Sequence, residues 1–390
     1  MRKARFIDLF CGAGGLGIGL KNAGFEPILS VDHDKDSVET LRSHSEHEII
    51  NADISEFIDE IEARGNKYNG VELLVGGPPC QGFCAINPKR SENDPRNSLI
   101  DSFLHVVSII KPKIVLMENV TGLLSLANGF AIKKIVRCLH DLGYIVNYQV
   151  LQAAHYGVPQ SRWRLFVVGC KSERFEFPRP THAASITPNF VRGKELTFKV
   201  ESNDLFNEYA PKITVWDAIS DLPFLENGQE FFEIDYASPA KSTYQITRRA
   251  QSKFVYNHSV KNLQDINIRR VMALPGEGMN WTNLPDDLMP HNLKRMLDKY
   301  KGAVGAKTRF QRLSKDGIFS TIVTSPDPYW GAFIHPEQNR VISVREAARA
   351  QSFDDHVVFK GSLNSQYRQV GNAVPPLIAE AIGRNLMKFL

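Results

Sequence analysis

The sequence predicts an α/β protein: a doubly wound, mostly parallel sheet with a second, smaller domain inserted before its end. Three features carry this expectation. Short apolar, β-branched runs alternate with helical stretches through the first 170 residues. A glycine-rich turn follows the first of those runs. The alternation lapses after residue 177 and resumes only near residue 340.

In chain order, residues 5–10, 27–31, 71–75, 113–117, 145–151 and 165–170 are the apolar runs. Each lies between turn residues and reads as a strand buried on both faces. Helices are expected between them, such as 16–22 closed by Gly24 and 99–110 stopped by Pro112. Strands joined through helices pair in parallel, with helices covering both faces of the sheet. Pro178 and Pro180 break the pattern, and a stretch rich in Pro, Asn, Asp and Lys follows. Helical spacing returns over 343–352, through Val344, Ala347, Ala348 and Gln351, and a last helix covers 377–390. The expected organisation is a first domain over 1–177, a second over 178–340, and a return segment over 341–390 that completes the first.

A chain of 390 residues, 43% hydrophobic, can bury two modest cores. Its start is polar and basic, and no stretch approaches the ~20 apolar residues that span a bilayer. A soluble, cytoplasmic protein is expected, with no membrane partner. The five cysteines, Cys11, Cys80, Cys84, Cys138 and Cys170, form no C-x-x-C pair. That argues against a zinc site or a disulfide framework, so no metal is expected. The net charge is only +4, but the charges are segregated. Residues 241–312 carry fourteen basic and five acidic side chains, whereas 201–240 carry nine acids and Lys212 alone. A basic segment in a near-neutral chain suits a phosphate-facing surface.

The run FIDLFCGAGG (6–15) is a strand entering a glycine turn, where Gly12 and Gly14 let backbone approach a ligand closely. Gly12, Gly14 and Gly17 match G-x-G-x-x-G, and Asp32 ends the second strand twenty residues after Gly12. A carboxylate there suits ribose hydroxyls. Asp53 ends a third strand beside the apolar Ile54, well placed to receive an adenine amino group. The glycine spacing alone does not separate a nicotinamide dinucleotide from another adenosine cofactor. Asp8, inside the strand, leans away from the dinucleotide, because an acid there could meet a cationic group such as an ammonium.

In GGPPCQGFC (76–84) two prolines fix the backbone leading into Cys80 at the carboxyl edge of the sheet. A cysteine so held is a candidate nucleophile if its thiolate fraction is raised. Glu118 ends the most apolar strand, KIVLMENV (113–120), where burial should raise its pKa. Arg162 and Arg164, in PQSRWR (159–164), offer donor forks that suit a base carbonyl or a phosphate.

These segments, in this order, resemble the DNA cytosine-C5 methyltransferase family of bacterial restriction-modification type. The matching motifs are DLFCGAGG (8–15), PPCQ (78–81), ENV (118–120), QSRWR (160–164), REAARAQSF (345–353) and QVGNAV (369–374). They lie within 5–170 and 341–376, about half the chain. Two positions depart from the family pattern: Cys84 stands where serine is usual, and Ser352 where glycine is more common.

The resemblance implies a Rossmann-like class I S-adenosylmethionine-dependent methyltransferase domain with a smaller DNA-recognition domain. S-adenosylmethionine would be held by Phe10, Gly12, Gly14, Asp32, Asp53, Ile54, Pro79, Leu99, Asn372 and Val374. Cys80 would be the nucleophile, Glu118 would hold the cytosine at N3, and Arg164 would bind O2 with Arg162 in support. Residues from Cys80 to about Asn97 correspond to the family's loop that closes on DNA, so Gln81, Lys89, Arg90 and Arg96 would meet the duplex. Arg248, Arg249, Lys294 and Arg295 are the phosphate candidates of the basic segment, and PGEGMNW (275–281) is a candidate base-reading loop. The implied partners are double-stranded DNA and a cognate restriction endonuclease, with the enzyme acting as a monomer. The same chemistry on transfer RNA, or a nicotinamide-dependent oxidoreductase, are the alternatives.

Overall fold

The computed structural model describes residues 3–63, 67–79, 98–125, 129–190, 192–200, 209–249, 252–300 and 308–390. The chain divides into two compact units. The first is Met1–Val158, Arg162–Lys212 and Ala373–Leu390, and the second is Pro159–Ser161 and Ile213–Asn372.

The first unit is built on seven strands: β1 (Arg5–Leu9), β2 (Glu26–Asp32), β3 (Glu48–Asn51), β4 (Leu73–Gly76), β5 (Ile114–Val120), β6 (Ile145–Gln152) and β7 (Trp163–Cys170), in the order β3-β2-β1-β4-β5-β7-β6. All neighbours pair in parallel except β7, which runs antiparallel to both β5 and β6. The cause is local. β1 to β6 are joined through α1 (Gly15–Asn22), α2 (Lys35–Arg42), α3 (Ile54–Ala63), α4 (Ser98–Ile110) and α5 (Phe130–Asp141). β6 passes to β7 through a single 3₁₀ turn at Ala153–Tyr156 and a short extended link. Without a crossover helix the strand can only return beside its predecessor.

The side chains of the sheet alternate between two cores. Ile7, Leu9, Leu74, Val115 and Met117 face Phe57, Phe103, Val107 and Ile135 of α3, α4 and α5. Phe6, Val75, Leu116 and Phe166 face Leu16 and Leu20 of α1 and Ile378, Ile382 and Leu386 of α12 (Pro376–Leu386). This is the doubly wound arrangement expected. A side chain at Gly19 would strike Pro376 and Ala379, so the α1–α12 crossing depends on its absence.

The units part at places other than residues 177 and 340. Pro178 and Pro180 end the strand pattern but not the packing: Tyr156 Oη donates to the Pro178 carbonyl at 2.8 Å, and the His155 ring meets the Ala184 carbonyl at 3.0 Å. Residues 182–183 and 210–211 form a small parallel pair, β8 (His182–Ala183) and β9 (Ala210–Pro211). Conversely, 341–372 cluster with the second unit.

The second unit has little sheet. It contains α6 (Val215–Ile219), β10 (Glu233–Ile234), α7 (Thr243–Arg249), β11 (Val255–Tyr256), α8 (Asp265–Met272), α9 (His291–Tyr300), α10 (Val344–Ala350) and α11 (Leu363–Asn372). Irregular backbone leaves carbonyls that need donors, and buried arginines supply them. Arg312 donates to the carbonyls of Val271, Leu274, His335 and Gln338 and to Asn339 Oδ1. Arg349 bridges Asp221 at 2.9 Å and Asp355 at 2.6 Å, and Arg340 pairs with Glu346 at 2.7 Å. Ser352, just beyond α10, has φ 64, a left-handed turn that glycine adopts without a Cβ penalty.

Candidate active site

A cleft opens at the carboxyl ends of β1, β2 and β3. Six of the expected cofactor residues line it: Phe10, Asp32, Asp53, Ile54, Pro79 and Leu99. Three more, Val31, His33 and Ala52, line it without having been expected. Their sequence signal was adjacency, since each neighbours an acid at a strand end. Phe10 reaches the cleft from a backbone in the left-handed region (φ 58), where the glycine turn begins.

The two cleft acids differ. Asp32 is buried and caps the turn, accepting the Gly12 amide on Oδ2 and the Asp34 amide on Oδ1, each at 2.8 Å. Burial pushes its pKa up, and those two amides oppose the rise. Asp53 is exposed; the Ser55 amide and hydroxyl both bond its Oδ1 and hold its carboxyl below the usual range. Its Oδ2 meets no donor among the described residues. Asp8 is not among the cleft residues. It is 1% exposed beneath α1, and burial with the nearby Asp32 charge pushes its pKa well up, the Gly17 amide opposing the rise.

A second cluster sits at the carboxyl edge of β4 and β5. Glu118 and Arg164 occupy diagonal positions on one face of the β5–β7 ladder, with Val120 opposite Arg164. Arg164 Nε lies 3.0 Å from Glu118 Oε1. Burial raises the Glu118 pKa, while the Arg164 charge and then that of Arg162 pull it down. A Cβ at Gly77 would stand 3.3 Å from Glu118 Oε2, so a larger residue there would crowd the carboxylate. Asn119, 3% exposed, donates to the Pro78 carbonyl at 3.1 Å and so ties the turn after β4 to β5. Arg162 is 2% exposed; its amide bonds Gln152 Oε1 at 2.7 Å and its Nη2 the Ala373 carbonyl at 3.0 Å. Burial, then the neighbouring Arg164 charge, lowers its pKa.

The family model for C-5 cytosine-specific DNA methylases matches residues 4–388. The chain belongs to that family. Its activity is that of a DNA (cytosine-5-)-methyltransferase, with S-adenosylmethionine as methyl donor. It is 32% identical to the Type II methyltransferase M.AgeI of Thalassovita gelatinovora, over 97% of this chain and 98% of that protein. It is also 32% identical to the DNA (cytosine-5)-methyltransferase PliMCI of Paracentrotus lividus, over 98% of this chain but 28% of that longer protein. Among solved structures, a DNA modification methyltransferase encoded within an Escherichia coli prophage superposes with a TM-score of 0.68, at 22% identity over 99% of both chains.

The cleft suits this cofactor. Phe10, Ile54, Pro79 and Leu99 offer apolar walls for a flat purine. Asp53 presents an open acceptor at the rim, and Asp32 keeps a lone pair on each oxygen beside the turn. The other expected cofactor positions lie outside the cleft. Gly12 and Gly14 (φ 53 and 87) shape the turn, and Val374 packs in the α1–α12 core. Asn372 ends α11 in the second unit.

Of the DNA-facing positions expected in this methylase, Cys80, Gln81, Lys89, Arg90 and Arg96 lie outside the described residues. Arg248 and Arg249 are engaged within the second unit. Arg248 pairs with Asp354 at 2.9 Å, and Arg249 pairs with the buried Asp221 at 2.6 Å and lies 3.6 Å from the Tyr236 ring centroid. Lys294 and Arg295 are exposed on α9, with Lys294 3.4 Å from Asp286. The 275–281 loop is an ordered turn. Glu277 accepts the Lys315 amide at 2.8 Å, and Trp281 is 3% exposed. Among the described residues no helix is long and apolar enough to cross a membrane.

Proposed function

We propose that the enzyme methylates C5 of a cytosine flipped out of duplex DNA at a short specific site, through a covalent bond between Cys80 and C6. The observation that supports this is how the chain approaches Cys80. Pro79 lines the cofactor cleft, while Pro78 is tied by Asn119 to the strand that carries Glu118. The next residue in the chain is the Cys80 thiol.

Cytosine C5 is too weakly nucleophilic to react unaided. In the proposed sequence the Cys80 thiolate adds its electron pair to C6, and negative charge develops across N3 and O2. Glu118 holds a proton or a short hydrogen bond at N3, and Arg164 donates to O2, so both stabilise that charge where it forms. The cofactor supplies an electrophilic methyl carbon on a sulfonium. C5 would take the methyl group as its bond to sulfur breaks, leaving the cofactor as a neutral thioether; a base then removes H5, and the C5–H bonding pair expels the Cys80 thiolate to restore the ring. Attack from above the ring requires the base to leave its stack, at a cost of a few kcal/mol. Phosphate contacts from Lys294, Arg295 and residues of the second unit would offset that cost without choosing sequence.

Because M.AgeI and M.DdeI are Type II methyltransferases, a restriction endonuclease for the same site is the companion we propose. Bisulfite sequencing of plasmid DNA incubated with enzyme and cofactor reads both the activity and the site. Duplexes carrying 5-fluorocytosine at that site should trap an adduct that survives denaturation. Its absence with active enzyme would rule out the covalent route.

A further inference from the structure

Arg309 differs from the buried arginines of the second unit. Arg248, Arg249, Arg340 and Arg349 each meet a carboxylate, and Arg312 is enclosed by carbonyls. The Arg309 guanidinium has no carboxylate within 4 Å and no hydrogen-bond acceptor among the described residues. It lies instead against two aromatic rings, 4.7 Å from the Tyr329 centroid and 5.2 Å from that of Trp330. Trp330 is 61% exposed.

This arrangement is built rather than incidental. The Phe310 amide donates to the Pro328 carbonyl, joining the two segments next to Arg309 and Tyr329. Phe310 is buried and has φ 46, a conformation that costs a bulky side chain about 1–2 kcal/mol. Its ring packs edge-on against Tyr329 (6.1 Å), which packs edge-on against Trp330 (5.0 Å). Asp327 caps the turn by accepting the Tyr329 amide at 2.9 Å. Asp327 thus serves the backbone, and the guanidinium keeps its donors.

We propose that Arg309 reads a guanine of the recognition site, braced by Tyr329 and Trp330. A guanidinium resting on aromatic faces loses little further freedom on binding and presents its donor fork edge-on. The acceptor pair that such a fork matches is O6 and N7 of guanine in the major groove. A phosphate would accept the same fork, but only a base edge would make the contact depend on sequence, and that dependence is what the test reads. This assignment rests on duplex DNA being the substrate.

The test measures equilibrium binding and bisulfite-read methylation on duplexes in which each guanine of the site is replaced in turn by 7-deazaguanine. One replacement should weaken the wild-type enzyme roughly 5- to 150-fold, the range of one bidentate contact, and Arg309→Ala should be indifferent to it. Arg309→Lys keeps the charge but not the fork, so it should bind DNA generally yet lose the same preference. If lysine keeps full discrimination, the planar fork is not what reads the base, and if Arg309→Ala weakens every sequence alike, the residue is a phosphate contact; either result overturns the proposal. If no 7-deazaguanine duplex weakens the wild-type enzyme, it fails without recourse to variants. Binding needs no turnover: guanine discrimination without methyl transfer would fault the catalytic reading and leave this one standing.

Discussion

The Glu118 carboxylate and the Arg164 guanidinium meet at 3.0 Å across two antiparallel strands, at the point where the sheet reverses direction. That reversal is what brings them together. Had β7 run parallel to β5, its first residues would lie at the amino edge, far from the turn that carries Pro78 and Pro79. Both side chains are largely buried, at 11% and 16% exposure, so their charges act through little water.

Glu118→Gln keeps the shape of the side chain but cannot carry a proton to N3. We expect kcat to fall by about 10²–10³-fold, the scale of one lost transition-state donor. Cofactor affinity should stay within about twofold, because Glu118 is not among the cleft residues. Steady-state rates and calorimetric titration separate the two. A parallel collapse of cofactor binding would show that the carboxylate supports the cleft instead.

Asp53 tests the cofactor reading in the opposite sense. Asp53→Ala removes an exposed acceptor whose loss leaves only the Ser55 donors unsatisfied. The dissociation constant for S-adenosylmethionine should rise about 10- to 100-fold, as for a charged hydrogen bond, with kcat at saturating cofactor unchanged. An unaltered affinity would place the adenine elsewhere.

The sheet was legible because strands buried on both faces must be largely apolar, and 5–10, 71–75 and 113–117 are, with Asp8 and Glu72 the interior exceptions. The antiparallel course of β7 was not, since a reversed strand has the same composition; only the missing helix between residues 152 and 163 betrays it. The cleft was legible through Asp32 and Asp53 at strand ends, though His33, beside Asp32, was overlooked. The second unit was opaque because its framework is ionic. Arg312, Arg345 and Arg349 are fully buried, yet an arginine in a sequence reads as surface. Likewise Arg248 and Arg249, expected to face phosphate, are paired with Asp354 and Asp221, partners remote in sequence.

Charge reversal should therefore divide the basic segment. Lys294→Glu with Arg295→Glu alters exposed positions, and the Lys294–Asp286 pair is worth little in water. The double variant should fold normally and bind all duplexes more weakly, with a flatter salt dependence. Arg249→Glu instead sets a second carboxylate beside buried Asp221, whose remaining partner Arg349 is already shared with Asp355, and breaking a buried pair costs about 3–5 kcal/mol. It should lower the melting temperature whatever DNA is present. Normal melting of Arg249→Glu would contradict the ion pair.

Acid should unfold the second unit earlier than its carboxylates alone require. His335 Nδ1 accepts the amides of Glu337 (3.1 Å) and Gln338 (3.0 Å), so its proton is on Nε2, 3.6 Å from Glu346. His258 joins the Ser343 hydroxyl (3.0 Å) to the Pro223 carbonyl (2.8 Å). Burial lowers the two imidazoles to about 3 and about 4; Glu346 pulls upward and Arg340 adds to the lowering. Unfolded histidines titrate near 6.5, so below that pH the unfolded chain takes up protons that the native one refuses. Stability is complete above about 6.5 and is lost as pH falls toward 4, by up to about 1.4 kcal/mol per pH unit for each histidine. Burial disfavours the Glu346 charge, yet Arg340 holds its carboxyl far below the usual range, so its own contribution fades only below about 4.5. Urea titrations between pH 8 and 5 should show the slope, and His335→Asn should remove about one proton from it while lowering stability throughout. A flat profile between pH 6.5 and 5 would mean that both rings protonate freely in the folded protein, which the two amide bonds to His335 Nδ1 forbid.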